Sequence, residues 1–212
     1  MIINILLKIA GAYLLGSIPS AVWIGKATKG VDVREHGSKN AGATNTMRVL
    51  GVKIGIPVLL IDICKGFAAV SLALISPTFE PHTNAFVNFQ LILGAAAVVG
   101  HVFPVFAGFR GGKGVATIFG VLLALQWMAT LTAGVVFLIT LFISKYVSLS
   151  SLVMGLAFPI SVICIFKTDS ISLKIFSITV SVLLLITHRK NISRLLNGNE
   201  NKATFLFGKR GT

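Results

Sequence analysis

The chain contains only two cysteines and six acidic residues, and 12% of it is charged. Each shortage removes a class of protein. Cys64 and Cys164 lie far apart inside apolar stretches, too few for a disulfide framework and without C-x-x-C spacing. The six acids and the histidines at 36, 82, 101 and 188 form no H-E-x-x-H pair, so no metal site is expected. A soluble domain of 212 residues would need far more charge to cover its surface.

Apolar residues make up 55% of the chain, and the mean hydropathy of +0.90 is spread over most of the length. Runs of membrane-spanning length fall at 3–25, 54–76, 86–103, 114–128, 130–147, 151–167 and 171–188. They predict an all-α integral membrane protein, one polytopic domain over 1–212 formed as a bundle of seven transmembrane helices. Five crossings would remain if 114–147, broken only briefly at Gln126 and Trp127, folds differently. The first run lacks a basic stretch before it and reads as an uncleaved helix rather than a signal peptide.

Net charge is +13, with 19 Lys and Arg. Seven crossings place fifteen of these on one side, among them Lys26, Lys29, Arg34, Arg110, Lys145 and the tail from Arg189 to Arg210. Only Lys8, Lys167 and Lys174 fall on the other, so the N-terminus is expected outside and the C-terminus in the cytoplasm. The basic residues flank membrane segments and have no polar domain to present them, so anionic lipid and an anionic substrate are the expected partners, not nucleic acid.

Three polar islands interrupt the apolar chain, all on the predicted cytoplasmic face. The first, Gly37–Arg48, crowds Ser38, Gly42, Thr44, Asn45 and Arg48 into twelve residues. Small residues let backbone approach a ligand, hydroxyl and amide groups suit phosphate oxygens, and Arg48 lies one helical turn beyond Thr44. The second, Gly108–Gly114, is not a nucleotide P-loop, which would need glycine at Ala107 and a hydroxyl residue at Gly114. Its Gly111, Gly112 and Gly114 permit tight turns, Arg110 and Lys113 bring charge, and a helix starting near Val115 would aim its N-terminus at an anion. In the third, His188 and Asn191 share a face at the end of the last span, where a histidine can hold a hydroxyl or act as a base. Within the second span, Asp62 and Lys65 are three residues apart and read as a structural ion pair bracing the island loops.

These motifs carry a family resemblance. GSIPSA at 16–21, GSKNAGATN at 37–45, GHVFPVFAGFRGGKGVAT at 100–117 and HRKNISRL at 188–195 resemble, in order and spacing, the bacterial acyl-phosphate:glycerol-3-phosphate acyltransferases. Lys39 stands where many members have a second glycine, and Arg110 where lysine is common. The resemblance implies a seven-helix enzyme with a cytoplasmic-face active site that moves a fatty acyl group from acyl phosphate to glycerol 3-phosphate, with lysophosphatidic acid as product. Ser38 and Arg48 match its first motif, Gly111, Gly112, Lys113 and Gly114 its phosphate-binding second, and His188 and Asn191 its third. Glu200 looks like its C-terminal acid, holding the tail in place. Neither a metal, another cofactor nor an acyl-enzyme is implied, and a monomer is expected.

The H-x4-D signature of the other acyltransferase class is absent, since Ala41, Val87, Phe106 and Ser193 occupy the fifth position after each histidine. An organic-phosphate transporter is the rival class. It would call for polar groups at mid-membrane and often an internal repeat.

Overall fold

The computed structural model describes residues 1–75 and 78–207. The end of the expected 54–76 segment at Ser76, and Lys209 and Arg210 of the basic tail, lie outside them. Among the described residues the secondary structure is entirely helical, and the chain divides into two units, Met1–Leu125 and Gln126–Thr212.

The first unit begins with α1 (Ile2–Gly16) and α2 (Ser20–Lys29), which meet at 41°. The expected unbroken 3–25 helix is therefore bent. Pro19 has no N–H to donate and biases Ile18 away from helical geometry, so the ladder stops at Ser17 and restarts at Ser20. Left-handed Gly30 ends α2, with its N–H on the Lys26 carbonyl and the Val31 N–H on that of Gly25.

A short helix, α3 (Ala43–Leu50), then leads through Gly51 into the long α4 (Val52–Ser71). α5 (Asn84–Val102) starts on a Thr83 cap, whose hydroxyl accepts the Phe86 N–H at 3.2 Å. α6 (Val115–Leu125) completes the unit. α4 and α6 cross where Gly66 lies against the Thr117 carbonyl and Gly120 against that of Ile63; a Cβ at either glycine would overlap the facing backbone. Ala12, Ala69, Ala73, Phe86, Phe89, Leu93 and Ala97 form the buried core among α1, α4 and α5.

The second unit contains α7 (Trp127–Ser144), α8 (Val147–Ile160), α9 (Ile171–Thr187) and α10 (Arg189–Leu196). Pro159 cannot donate to the Gly155 carbonyl one turn back, and the buried Ser181 hydroxyl of α9 donates to that oxygen instead. A wider turn over Ser161–Ile165 follows. α9 and α10 bend by 63° at His188.

Among the described residues, four helices, counting short continuations, are long and apolar enough to cross a membrane alone, and up to six do so if each bent pair is one span. The expected segment 114–128 is realised as an α6 of 11 residues. At a rise of about 1.5 Å per residue it is roughly half the depth of a ~30 Å hydrocarbon layer.

Candidate functional site

Asn45, in the first turn of α3, organises the first island. Its side-chain oxygen accepts the Ser38 N–H at 2.9 Å, and its amide nitrogen donates to the carbonyls of Val33 (2.7 Å) and His36 (3.1 Å). With 1% of its surface exposed, this residue shapes the loop, where the sequence suggested a ligand contact. The arrangement leaves Ser38 exposed, with Thr44 and Arg48 half-buried along α3. Gly42 precedes α3 in extended backbone and receives the Thr46 hydroxyl on its carbonyl.

Lys39 has φ of 58°, in the left-handed region that glycine enters without a Cβ penalty. Its departure from the glycine common in the resembling family therefore carries local strain of about 1 kcal/mol. Lys39→Gly is expected to retain activity and raise the thermal midpoint slightly, whereas Lys39→Val is expected to lower it. Differential scanning fluorimetry of the three proteins in one detergent checks both.

The second island turns back onto the end of α5. Gly111 N–H donates to the Val102 carbonyl and Gly112 N–H to that of His101, each at 3.2 Å. These two amides, in the stretch that the resemblance assigns to phosphate binding, are thus committed to the fold. Gly112 lies where a Cβ would crowd both the Ala41 carbonyl and the His101 imidazole, so glycine here lets the first two islands abut. Gly114, at φ of 83°, makes the turn into α6, whose first N–H groups have no intrahelical acceptor. Lys113 stands between these features, half-buried.

A clamp missed in the sequence joins the islands. Asp32 accepts the Arg34 backbone N–H (3.0 Å) and side-chain Nε (3.0 Å) on one oxygen and Nη2 (2.8 Å) on the other. Arg34 Nη1 reaches the carbonyls of Ala107 (2.7 Å) and Arg110 (3.3 Å). The Arg34 side-chain hydrogen bond, opposed by burial and reinforced by the backbone bond and nearby positive charge, lowers the Asp32 carboxyl to a pKa of about 2. The signal was local: Asp32 caps the turn Val33–Glu35, two residues from its partner.

Asp62 and Lys65 form a buried ion pair at 2.8 Å in the same unit. Ser20 Oγ donates to Asp62 at 2.7 Å and Lys65 Nζ to the Ile18 carbonyl at 2.8 Å, so the pair holds both sides of the α1–α2 bend.

In the second unit His188 and Asn191 lie on one turn. His188 Nδ1 is 2.9 Å from the Leu184 carbonyl, which can only accept, so Nδ1 carries a proton and the ring is oriented by this bond. Asn191 Nδ2 donates to Glu200 Oε1 at 2.7 Å, which fixes the amide so that its carbonyl oxygen faces away from Glu200. Ser148 also donates to Oε1 (2.8 Å), and Arg194 Nε to Oε2 (2.7 Å). Burial pulls the Glu200 carboxyl upward, but the three hydrogen bonds together hold it below its ordinary value. The tail is tied down further by Ala203 N–H on the Lys145 carbonyl and by Phe207 edge-on to Phe142.

Fold and site together define an all-helical, multi-span membrane protein with a basic, glycine-built surface on its first unit. A family model described as glycerol-3-phosphate acyltransferase matches residues 6–198. The chain is 45% identical over 193 residues to the glycerol-3-phosphate acyltransferase of Fusobacterium nucleatum, covering 91% of this chain and 95% of the relative. It is 46% identical over 206 residues to that of Listeria welshimeri, covering 97% and 100%. A crystal structure of PlsY, an integral membrane glycerol 3-phosphate acyltransferase in its glycerol 3-phosphate form, superposes with a TM-score of 0.86 at 36% identity, covering 97% of this chain and 99% of that one. Its lysophosphatidic acid form gives 0.83 at 36% identity, covering 96% and 98%. The chain belongs to the glycerol-3-phosphate acyltransferase family.

Proposed function

We propose that the protein transfers a fatty acyl group from acyl phosphate to the 1-hydroxyl of sn-glycerol 3-phosphate, releasing lysophosphatidic acid and phosphate at the cytoplasmic membrane of a bacterium. The observation that carries this reading is the joining of the two glycine-rich islands, clamped by Arg34 and abutting at Gly112 and Ala41. A phosphorylated substrate needs such a basic surface, and an acyl phosphate needs little more. It is a mixed anhydride with a good leaving group, so positioning and charge stabilisation supply most of the catalysis.

In this mechanism Arg48 and Lys113 hold phosphate oxygens, and Ser38 is a ligand to the acyl phosphate. As the resemblance implies, His188 and Asn191 orient the acceptor, an imidazole and an amide both being able to hydrogen-bond a glycerol hydroxyl. The hydroxyl oxygen attacks the acyl carbonyl, the carbonyl–phosphate bond breaks, and the departing phosphate takes the proton. No acyl-enzyme forms, so trapping an acyl-serine at Ser38 would overturn this assignment. The acyl chain stays among apolar helices while charged ends remain at the surface.

The decisive assay supplies detergent-purified protein with glycerol 3-phosphate and either palmitoyl phosphate or palmitoyl-CoA. Phosphate release that requires the acceptor, occurs with palmitoyl phosphate alone and accompanies lysophosphatidic acid is the expected result. Absence of product from both donors with folded protein moves the reading to organic-phosphate transport, testable by liposome flux.

We also propose seven crossings, with each bent pair counted as one crossing, α10 at the cytoplasmic surface and α6 as a short span, N-terminus outside and islands cytoplasmic. In a Cys64→Ala, Cys164→Ala background, Ile2→Cys should react with an impermeant maleimide in intact cells, and Asn199→Cys only after permeabilisation. Labelling of both from one side would mean an even number of crossings, with α6 not spanning.

A further inference from the structure

The mechanism above makes no use of His101, yet this side chain stands directly behind the second island. It closes α5 with 6% of its surface exposed. Its carbonyl takes the Gly112 N–H, and Val102 takes that of Gly111, so the loop preceding Lys113 is laid on this last helical turn. The imidazole edge carrying Nε2 faces Gly112 so closely that a Cβ there would overlap it. On the opposite edge, Nδ1 is 3.1 Å from Thr117 Oγ1, in the first turn of α6, and 3.8 Å from Asp62 Oδ1. Asp62 is in turn fixed by Ser20 and Lys65.

The ring is thus wedged between the loop and a buried ionic brace, and it links elements from the α1–α2 bend, α4, α5 and α6. A residue needed only to fill this volume would be apolar, because burying a polar ring among charges is unfavourable unless its bonds are used. Here Nδ1 is bonded to Thr117, and the Asp62 carboxylate stands 3.8 Å from the same nitrogen, so hydroxyl and charge together set the ring against Gly112. Because Gly112 and its neighbours stand on the loop side of the ring, His101 acts through them and does not contact the reacting atoms.

Resting on the acyltransferase reading, we propose that His101, oriented by Thr117 and Asp62, is a positioning residue that sets the placement of the Gly111–Gly114 loop and therefore of the phosphate group held there. Loss of this orientation loosens the binding of one phosphorylated substrate. It does not simply reduce the amount of folded enzyme.

The test measures kcat, both KM values and thermal midpoint for His101→Gln, Thr117→Val, Thr117→Ser and the double variant His101→Gln/Thr117→Val. The expected result is that Thr117→Val and His101→Gln raise one of the two KM values about ten-fold, with the other KM and kcat within about three-fold. Thr117→Ser, which keeps the hydroxyl, restores the wild-type KM, and the double variant is no worse than His101→Gln, since both changes cut one path. KM values unmoved in a folded Thr117→Val protein overturn the inference, and that isosteric variant decides the matter if His101→Gln does not fold. The wild-type arm separates the two readings. If it makes no acceptor-dependent lysophosphatidic acid, the acyltransferase reading falls and takes this inference with it; if it is active while the variants keep normal KM values, only the inference falls.

Discussion

Arg48→Ala and Lys113→Ala each lower kcat/KM for acyl transfer by roughly ten- to a hundred-fold, with thermal midpoints close to that of the wild type. The argument starts from charge. In the proposed reaction both substrates are phosphorylated anions, and negative charge shifts onto the leaving phosphate as the acyl bond breaks. A cation placed there in advance stabilises the transition state without solvent reorganisation, and the expected loss corresponds to about 1.4–2.7 kcal/mol, at or below the usual cost of removing one such group. Both side chains are half-buried, so water screens them less than it would an exposed pair.

Neither residue carries the core packing of the first unit, which is why stability should survive. Arg48 lies in the last turn of α3, while that helix is anchored through Asn45, Thr46 and Met47 on its buried side. Lys113 follows two glycines whose own backbone bonds hold the loop. Steady-state kinetics with palmitoyl phosphate, run beside melting curves, checks the pair. Activity within two-fold of wild type in either variant would contradict a shared phosphate site. Arg48→Lys should recover only part of the loss, since lysine keeps the charge without the planar fork.

What the sequence made legible, and what it did not, divides along the range of the forces involved. Apolar runs located the helices because burial in lipid is read residue by residue, and proline acts as locally, with Pro19 and Pro104 just before helical turns and Pro57 and Pro159 inside helices. The 41° bend followed from Pro19 but was too small a feature to separate α1 from α2 by hydropathy. α6 proved shorter than its apolar run because its beginning is set by the Gly114 turn and its end by a break at Gln126.

Within the islands, composition picked out the loops but not the division of labour inside them. Asn45 resembled a ligand group until its two polar ends were found on Ser38, Val33 and His36. Gly111 and Gly112 match a phosphate-binding motif, yet their amides are bonded to carbonyls of α5. Ser148 gave no signal at all, because its partner Glu200 is 52 residues away and only the fold brings them together. Polar residues that build a site and polar residues that touch its ligand share one alphabet, and long-range pairing alone tells them apart.

Glu200 presents the same distinction in a form with a large expected effect. Its carboxylate is 7% exposed and takes hydrogen bonds from Ser148, Asn191 and Arg194, drawn from α8, α10 and α10 respectively. Glu200→Ala removes the acceptor shared by three donors and one of the bonds that orient the Asn191 amide. The loss is expected to be about 2–3 kcal/mol of stability, at the lower end of what breaking a buried charged network costs because Arg194 is itself more than a third exposed. Activity should fall as well, since the bond from Glu200 that helps to orient the Asn191 amide would be lost. Glu200→Gln keeps the shape but replaces one acceptor oxygen with an NH2 group, so it should fall between wild type and alanine in midpoint. The pH dependence separates charge from shape. With the folded carboxyl held below its ordinary value of 4.5, its ionised form contributes fully above that value, and the contribution is lost as pH falls through the lowered one. Wild-type midpoints should therefore stay level down to about pH 5 and drop below it, whereas Glu200→Gln should start lower and lack this part of the acid decline. Melting curves from pH 7 to pH 3 distinguish the cases, and parallel acid limbs in the two proteins would show that the carboxylate charge is not what holds Asn191 and the tail.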